Sequence, residues 1–187
     1  MRMAFAYALT QGYRGVITID GNGKDDPDEI SRFVRALHEG YDHVQGSLFA
    51  PGGRAINTPR ARHIAIRLVH APLISLAARR RYTDTTNGFR AYSRRFLMDP
   101  RVAPFRRIFS GYELHYYLAI RAGRLGYRVV EVPVTRQYPA TGAIPTKIKL
   151  FTGHYVVLKC LFEACLGRFD PSDSEVAAAT ENGCATR

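Results

Sequence analysis

The chain has 187 residues, 46% of them hydrophobic, enough for one domain with its own core and too few for two comfortable ones. A formal charge of +11, carried mainly by arginines between Arg54 and Arg136, points to an anionic partner: nucleic acid, a phospholipid surface or a phosphorylated small molecule. The three cysteines, Cys160, Cys165 and Cys184, have no metal-ligand spacing and an odd count, which argues against a disulfide scaffold and for a reduced, cytoplasmic setting.

The first residues, MRMAFAYALTQGYRG, lack the order of charged, apolar and small residues that makes a secretion signal. Residues 2–11 read as a helix and 15–20 as a short buried strand. A helix over 27–39 closes at Gly40, with Ile30, Phe33, Val34 and Leu37 at helical spacing toward a sheet. Residues 43–49 form the next strand, APGGRAINTPRAR is a loop, and a helical pattern returns over 60–78. RRRYTDTTNGFRAYSRRFL is a polar loop leading into a strand at 89–92. A helix over 112–125, ended by Gly126, feeds YRVVEVPVTR, whose Pro133 marks an edge strand or a strand end. A last, amphipathic helix covers about 146–166, and the small, polar tail 171–187 is expected to be disordered. Residues 150–167 contain Lys159 and Glu163 and fall short of the roughly 20 apolar residues that a membrane span needs. Alternation of strand and helix predicts an α/β fold: a mostly parallel sheet covered by helices, one domain over 1–170.

The stretch ITIDGNGKDDPDEI supports two readings. Asp, Gly and Asn suit a turn, and Pro27, Asp28 and Glu29 suit the first turn of a helix. Asp20 at the carboxyl end of a parallel strand also stands where open α/β sheets bind ligands. For Asp84 the alternatives are a cap or turn against a site role, and for each arginine a solvated surface role against a phosphate contact. His70, on an apolar helical face near Pro72, reads as a packing residue. Glu113 reads as a helix-surface acid and Glu131 as an arginine-paired strand carboxylate.

Four segments in order, ITIDGNGKDDPDEI, DTTNGFRAYSRRFL, YELHYYLAIRAGRLGYRVVEVPV and IPTKIKL, together resemble family 2 glycosyltransferases of the GT-A fold. The likeness is to the dolichyl and polyprenyl phosphate mannosyl and glucosyl synthases, and it spans residues 3–155. It implies a Rossmann-like GT-A domain whose N-terminal half-Rossmann unit would lie before Met1, so that the chain reads as N-terminally truncated. It also implies transfer of a hexose from a nucleotide sugar to a polyprenyl phosphate with inversion, on the cytoplasmic face of a membrane.

Carried onto this sequence, the resemblance assigns Asp20, Asn22 and Lys24 to the donor diphosphate, with Asp20 and Asn22 holding a divalent metal, Mg²⁺ or Mn²⁺. Asn22 departs from the family's second carboxylate, and an amide there weakens a hard-cation site. Arg62, Thr85, Thr86, Asn87, Gly88, Arg90 and Lys147 would hold the acceptor, with Asp20, Asp84 and Arg90 nearest the chemistry; Asn87 stands where the family has Ser. An ionised acceptor phosphate needs no general base, whereas a sugar hydroxyl does. The competing readings are transfer to a saccharide hydroxyl and an inactive or accessory subunit that binds anionic lipid, a partner chain or a second copy. A nucleic-acid binder fits the charge but shows no recognition module.

Overall fold

The computed structural model describes residues 1–140 and 152–184. Helix α1 (Arg2–Thr10) leads into strand β1 (Gly15–Thr18), and a 3₁₀ turn at Pro27–Glu29 into α2 (Ile30–His38). Strands β2 (His43–Ser47) and β3 (Arg54–Ile56) follow. The predicted helix over 60–78 is three joined pieces, α3 (Arg60–Ala65), a π turn at Ile66–His70 and α4 (Ala71–Ala78). Then come β4 (Arg90–Ser93), α5 (Arg94–Met98), α6 (Glu113–Arg124), β5 (Val129–Pro133), β6 (Thr135–Gln137), α7 (Thr152–Cys165) and α8 (Asp173–Cys184).

The main sheet has the order β1-β4-β2-β5. β2 pairs parallel with β5, while β4 runs antiparallel to both β1 and β2. Three strands therefore point one way and β4 is reversed between them, so the fold is mixed α/β with one inverted strand. The carboxyl ends of β1, β2 and β5 and the amino end of β4 meet at one end of the sheet. Pro133, the last residue of β5, lies on an edge strand, where its missing N–H costs no ladder bond. The loop APGGRAINTPRAR contains β3, which pairs parallel with β6 in a separate ribbon. Three residues are too few to show an alternation, and β3 exists because β6 supplies an edge.

Side chains on β4 alternate between two apolar layers. Phe89 just before it and Ala91 within it pack with Phe33, Ala36, Val44 and Val134 beneath α2, and the Phe33 and Phe89 rings stack with centroids 4.1 Å apart. On the other face Tyr92 joins Phe5, Ile74, Phe96 and Leu118 in the larger core under α4, α6 and α7. The buried stripe of α2 is Phe33 and Ala36 with half-buried Leu37, while Ile30 and Val34 are exposed. All four predicted positions lie within α2, and the face packed on the sheet centres on Phe33 and Ala36, which leaves Ile30 and Val34 on its rim.

The tail expected to be disordered holds α8. Ser172 Oγ accepts the Glu175 N–H at 3.3 Å while a Glu175 carboxylate oxygen accepts the Ser172 N–H at 2.8 Å, a reciprocal cap of the Ser-x-x-Glu type. The Arg106 guanidinium reaches Glu175 at 3.7 Å and ties this helix to the body.

Phe33→Ala is expected to cost about 3–5 kcal/mol, because it empties the stack against Phe89; urea unfolding followed by far-UV circular dichroism measures it. His43 on β2 is fully buried near Tyr82, Tyr92 and Phe96, and neither ring nitrogen has a partner. Burial, reinforced by Arg90 and Arg80, holds its pKa well below 6.5. As pH falls through 6.5 the unfolded chain binds this proton and the folded chain does not. Stability is therefore expected to drop on that account by up to about 1.4 kcal/mol per pH unit below 6.5. His43→Leu should flatten the fall of unfolding free energy between pH 6.5 and 5.

Candidate functional site

The loop that leaves β1 lies against the loop that enters β4. Thr18 Oγ1 donates to the Gly88 carbonyl at 3.0 Å, and the Asp20 carboxylate lies so close over Gly88 that any Cβ there would collide with it. Gly88 thus leaves room for the Asp20 carboxylate. The Asp20 side chain is 40% exposed and its Oδ2 accepts from Arg136 at 3.1 Å.

Arg136, on β6, is almost wholly buried. Its other terminal nitrogen donates to both oxygens of Asp25, at 2.9 and 2.7 Å, and the Asp25 side chain is fully buried. The backbone repeats this link: Asp25 and Arg136 form an antiparallel bridge, and Gln137 N–H donates to the Lys24 carbonyl at 2.8 Å. Burial raises the Asp25 pKa, against the lowering by Arg136. Lys24, also buried, places its ammonium 4.6 Å from the Tyr138 ring centroid. Burial lowers its pKa, with Arg136 and Arg62 adding to the effect. A cavity of about 430 Å³ opens beside this loop, lined by Asn22, Lys24, Asp26, Thr135 and Tyr138 among others.

Glu131 organises the 83–90 loop from β5. Its carboxylate accepts the Thr83 N–H at 2.8 and 2.9 Å, the Thr83 hydroxyl at 3.0 Å and the Asp84 N–H at 3.0 Å. It pairs with backbone donors, so the arginine partner expected from sequence is not its role. Burial raises its pKa, partly offset by those backbone bonds. Asp84 is fully buried; its Oδ1 accepts the Thr86 N–H at 2.8 Å and the Thr86 hydroxyl at 3.1 Å, and its Oδ2 the Leu48 N–H at 3.4 Å. This is the turn-shaping alternative.

Asn87 is buried as well, accepting the Phe89 N–H at 2.8 Å and donating to Asp25 at 3.4 Å, which joins the two loops. Arg90 is 1% exposed and donates to the carbonyls of Asn87, His115 and Thr85 at 2.9, 2.7 and 2.7 Å. It braces the loop from within and presents no surface to an acceptor. Thr85 is fully buried, its hydroxyl without a partner.

Arg62 of α3 does reach this end. It donates to the Thr86 hydroxyl at 3.4 Å and its buried Nε has no partner. His70, at the end of the π turn, stacks on Tyr116 with centroids 5.9 Å apart. Burial lowers its pKa, followed by Arg62, so it is neutral near pH 7. Glu113 accepts the Gly111 N–H at 2.6 Å, in keeping with a helix-start acid. Lys147 lies outside the described residues.

The structure thus brings Asp20, Asn22, Lys24, Arg62, the 84–88 loop and Arg90 to one end, and adds Asp25, Arg136 and Glu131, which sequence reasoning left out of the site. Asp25 stood inside a quoted motif; its partner 111 residues away carried no local signal. A larger groove of about 1950 Å³, with Asp42, Arg95 and Arg128 on its wall, lies at the opposite end of the sheet and shares no residue with this cluster.

The divalent ion implied for Asp20 and Asn22 finds a poor ligand set. Asn22 Oδ1 accepts the Lys24 N–H at 3.2 Å, Asp20 Oδ2 is on Arg136, and both Asp25 oxygens are taken by the same guanidinium. Among the described residues no three His, Cys, Asp or Glu side chains converge to hold a metal. A hard cation takes about six oxygens, several of them from carboxylates or substrate phosphates. With Arg136 in place Asp20 Oδ1 is the one oxygen of these two aspartates that the guanidinium leaves, a poor fit to such an ion.

No family model matches the chain. It is 35% identical over 133 residues to an undecaprenyl-phosphate mannosyltransferase of Micrococcus luteus, covering 70% of this chain and 52% of that protein. It is 32% identical over 134 residues to a polyprenol monophosphomannose synthase of Mycolicibacterium smegmatis, covering 70% and 48%. A dolichyl-phosphate hexose transferase of Haloferax volcanii is 28% identical over 151 residues, covering 81% and 61%. The chain spans about half the length of the first two.

Glu131→Gln keeps the shape but only one acceptor oxygen for the donors of Thr83 and Asp84. A loss of about 1–3 kcal/mol is expected, measured as a lower urea midpoint at unchanged slope.

Proposed function

We propose that this chain is the part of a glycosyltransferase in which a hexose passes from a nucleotide sugar to a polyprenyl phosphate, with inversion at the sugar carbon. The observation that carries the reading is the meeting of Asp20 and Lys24, at the carboxyl end of β1, with Arg62 and the braced 84–88 loop. The similarity to three enzymes named for polyprenyl- or dolichyl-phosphate transfer supports the same assignment.

In this reading the donor diphosphate lies along the 20–26 loop, where Lys24, on the cavity wall, stabilises the negative charge that grows as the diphosphate departs. Asp20 orients Arg136 and faces the sugar. The acceptor phosphate is held by Arg62, whose guanidinium suits a phosphate in a forked contact, and by the Thr86 hydroxyl. That phosphate is ionised at neutral pH and attacks the sugar carbon without help from a base. Asp84 and Glu131 are engaged in holding the acceptor loop, and Asp20, which lies over Gly88, accepts from Arg136. This favours a phosphate over a saccharide hydroxyl as nucleophile.

Association with a membrane surface belongs to the same proposal. α7 exposes Tyr155, Val156, Leu158 and Phe162, with Leu166 just beyond, and α4 packs against it. Ile64 and Leu68 on α3 and the π turn, and Leu76 on α4, are also exposed. Among the described residues no helix is long and apolar enough to cross a membrane. Such faces, with Lys159 and Arg168 nearby, suit the headgroup region of an anionic bilayer.

Calorimetry with GDP, UDP and their hexose conjugates tests the donor half. One nucleotide is expected to bind saturably, about tenfold or more weaker in Lys24→Ala, while Arg62→Ala leaves donor binding intact and weakens binding of a short-chain polyprenyl phosphate. Absence of any nucleotide binding by the folded chain would count against the reading. In vesicle flotation with anionic lipid, Tyr155→Ser/Phe162→Ser/Leu166→Ser is expected to remain in solution while the parent chain floats; equal flotation of the two would remove α7 from the interface.

A further inference from the structure

We infer that Arg136 occupies the cation position of this site: the two carboxylates Asp20 and Asp25 are organised around a guanidinium in place of a divalent metal ion. The inference rests on the donor-site reading above for its functional meaning, and on geometry alone for its structural content.

Three observations carry it. First, the 20–26 loop concentrates its acids on one nitrogen pair: Arg136 reaches Asp20 at 3.1 Å through one terminal nitrogen and both oxygens of Asp25 at 2.7 and 2.9 Å through the other. A metal ion that bridged Asp20 and Asp25 would need an Asp25 oxygen at about 2.0–2.6 Å, and both already face the guanidinium, so ion and guanidinium compete for one place. Second, the position is built into the backbone. The Asp25–Arg136 bridge and the Gln137 N–H bond to the Lys24 carbonyl hold β6 to the loop whether or not the side chains pair. Third, little oxygen is left besides Asp20 Oδ1. Asn22, an amide where a carboxylate would serve a metal, accepts the Lys24 N–H, and Asn87 donates to Asp25.

The chemical consequence follows from charge. Arg136 offsets one of the two carboxylate charges and Lys24 the other, so that these four side chains together present no net negative charge to a nucleoside diphosphate. A guanidinium stays charged at every accessible pH and needs no metal supply.

The test is Mn²⁺ uptake by the full chain, read from the electron paramagnetic resonance signal of free Mn²⁺, with and without GDP or UDP, alongside nucleotide calorimetry in EDTA and in Mn²⁺. The expected result is no stoichiometric Mn²⁺ uptake by the chain alone with a dissociation constant below about 1 mM. Nucleotide affinity should be the same within about twofold in EDTA and in Mn²⁺. Arg136→Gln, checked for folding by circular dichroism, frees both carboxylates and is expected to gain a Mn²⁺ site that Asp20→Asn in the same background removes. Tight Mn²⁺ uptake by the parent chain that Asp20→Asn abolishes would overturn the inference, as would nucleotide binding that EDTA abolishes and Mn²⁺ restores. A folded Arg136→Gln chain that takes up no Mn²⁺ would overturn it too. If Arg136→Gln does not fold, the parent titration still decides. If no nucleotide binds under any condition, the donor reading fails, and the Mn²⁺ titration of the chain alone still judges whether Arg136 fills the cation position.

Discussion

The ion pair between Arg136 and the two carboxylates of Asp20 and Asp25 is the constraint on which the candidate site depends. Two of its three side chains are nearly or wholly buried. Taking such charges out of water is expensive, and removing one partner of a buried pair costs about 3–5 kcal/mol because the other is left uncompensated. The loop after β1 therefore has little freedom. Lys24 is clamped between two anchored positions, its ammonium over Tyr138, and Asn87 extends the network into the loop before β4. One guanidinium fixes the relative position of segments far apart in the chain.

A second buried network holds the other wall. Glu131 gathers the Thr83 and Asp84 donors, Asp84 shapes the turn to Thr86, and Arg90 ties the loop to the Thr85, Asn87 and His115 carbonyls. Low local dielectric strengthens these bonds and makes each unpaired atom costly, so the loop has one arrangement and few alternatives. The side chains that brace and those that remain reachable divide accordingly: Asp84 and Arg90 face inward, while Asp20 and Arg62 stay within reach of a ligand. Preorganised charge of this kind acts on a reacting group without first having to rearrange.

The sheet explains why both networks meet. Because β4 is inverted, its amino end lies beside the carboxyl ends of β1 and β2, and the loops at 19–26 and 83–89 become neighbours. The apolar layers on the two faces of the sheet hold this arrangement, with the Phe33 and Phe89 stack directly behind Gly46, where a Cβ would press on the Phe89 carbonyl at 2.7 Å. Apolar side chains are also exposed on α3, α4 and α7, among them Ile64, Leu76 and Phe162.

Period and punctuation in the sequence were enough to find the long helices, the strands at 15, 43 and 129, the α/β class and the motif around Asp20, because those features are encoded within a few neighbouring residues. The Ser172–Glu175 cap was equally local and went unread beneath a small, polar composition. Tertiary structure alone decided the rest. The inversion of β4, the three-residue β3, the exposure of Ile30 and Val34 and the inward turn of Arg90 all follow from partners distant in the chain. A carboxylate reads the same in sequence whether it faces solvent, a backbone N–H or a guanidinium. Only packing tells that Glu131 meets peptide N–H groups, and that Asp25, a turn residue by composition, meets Arg136 across 111 residues.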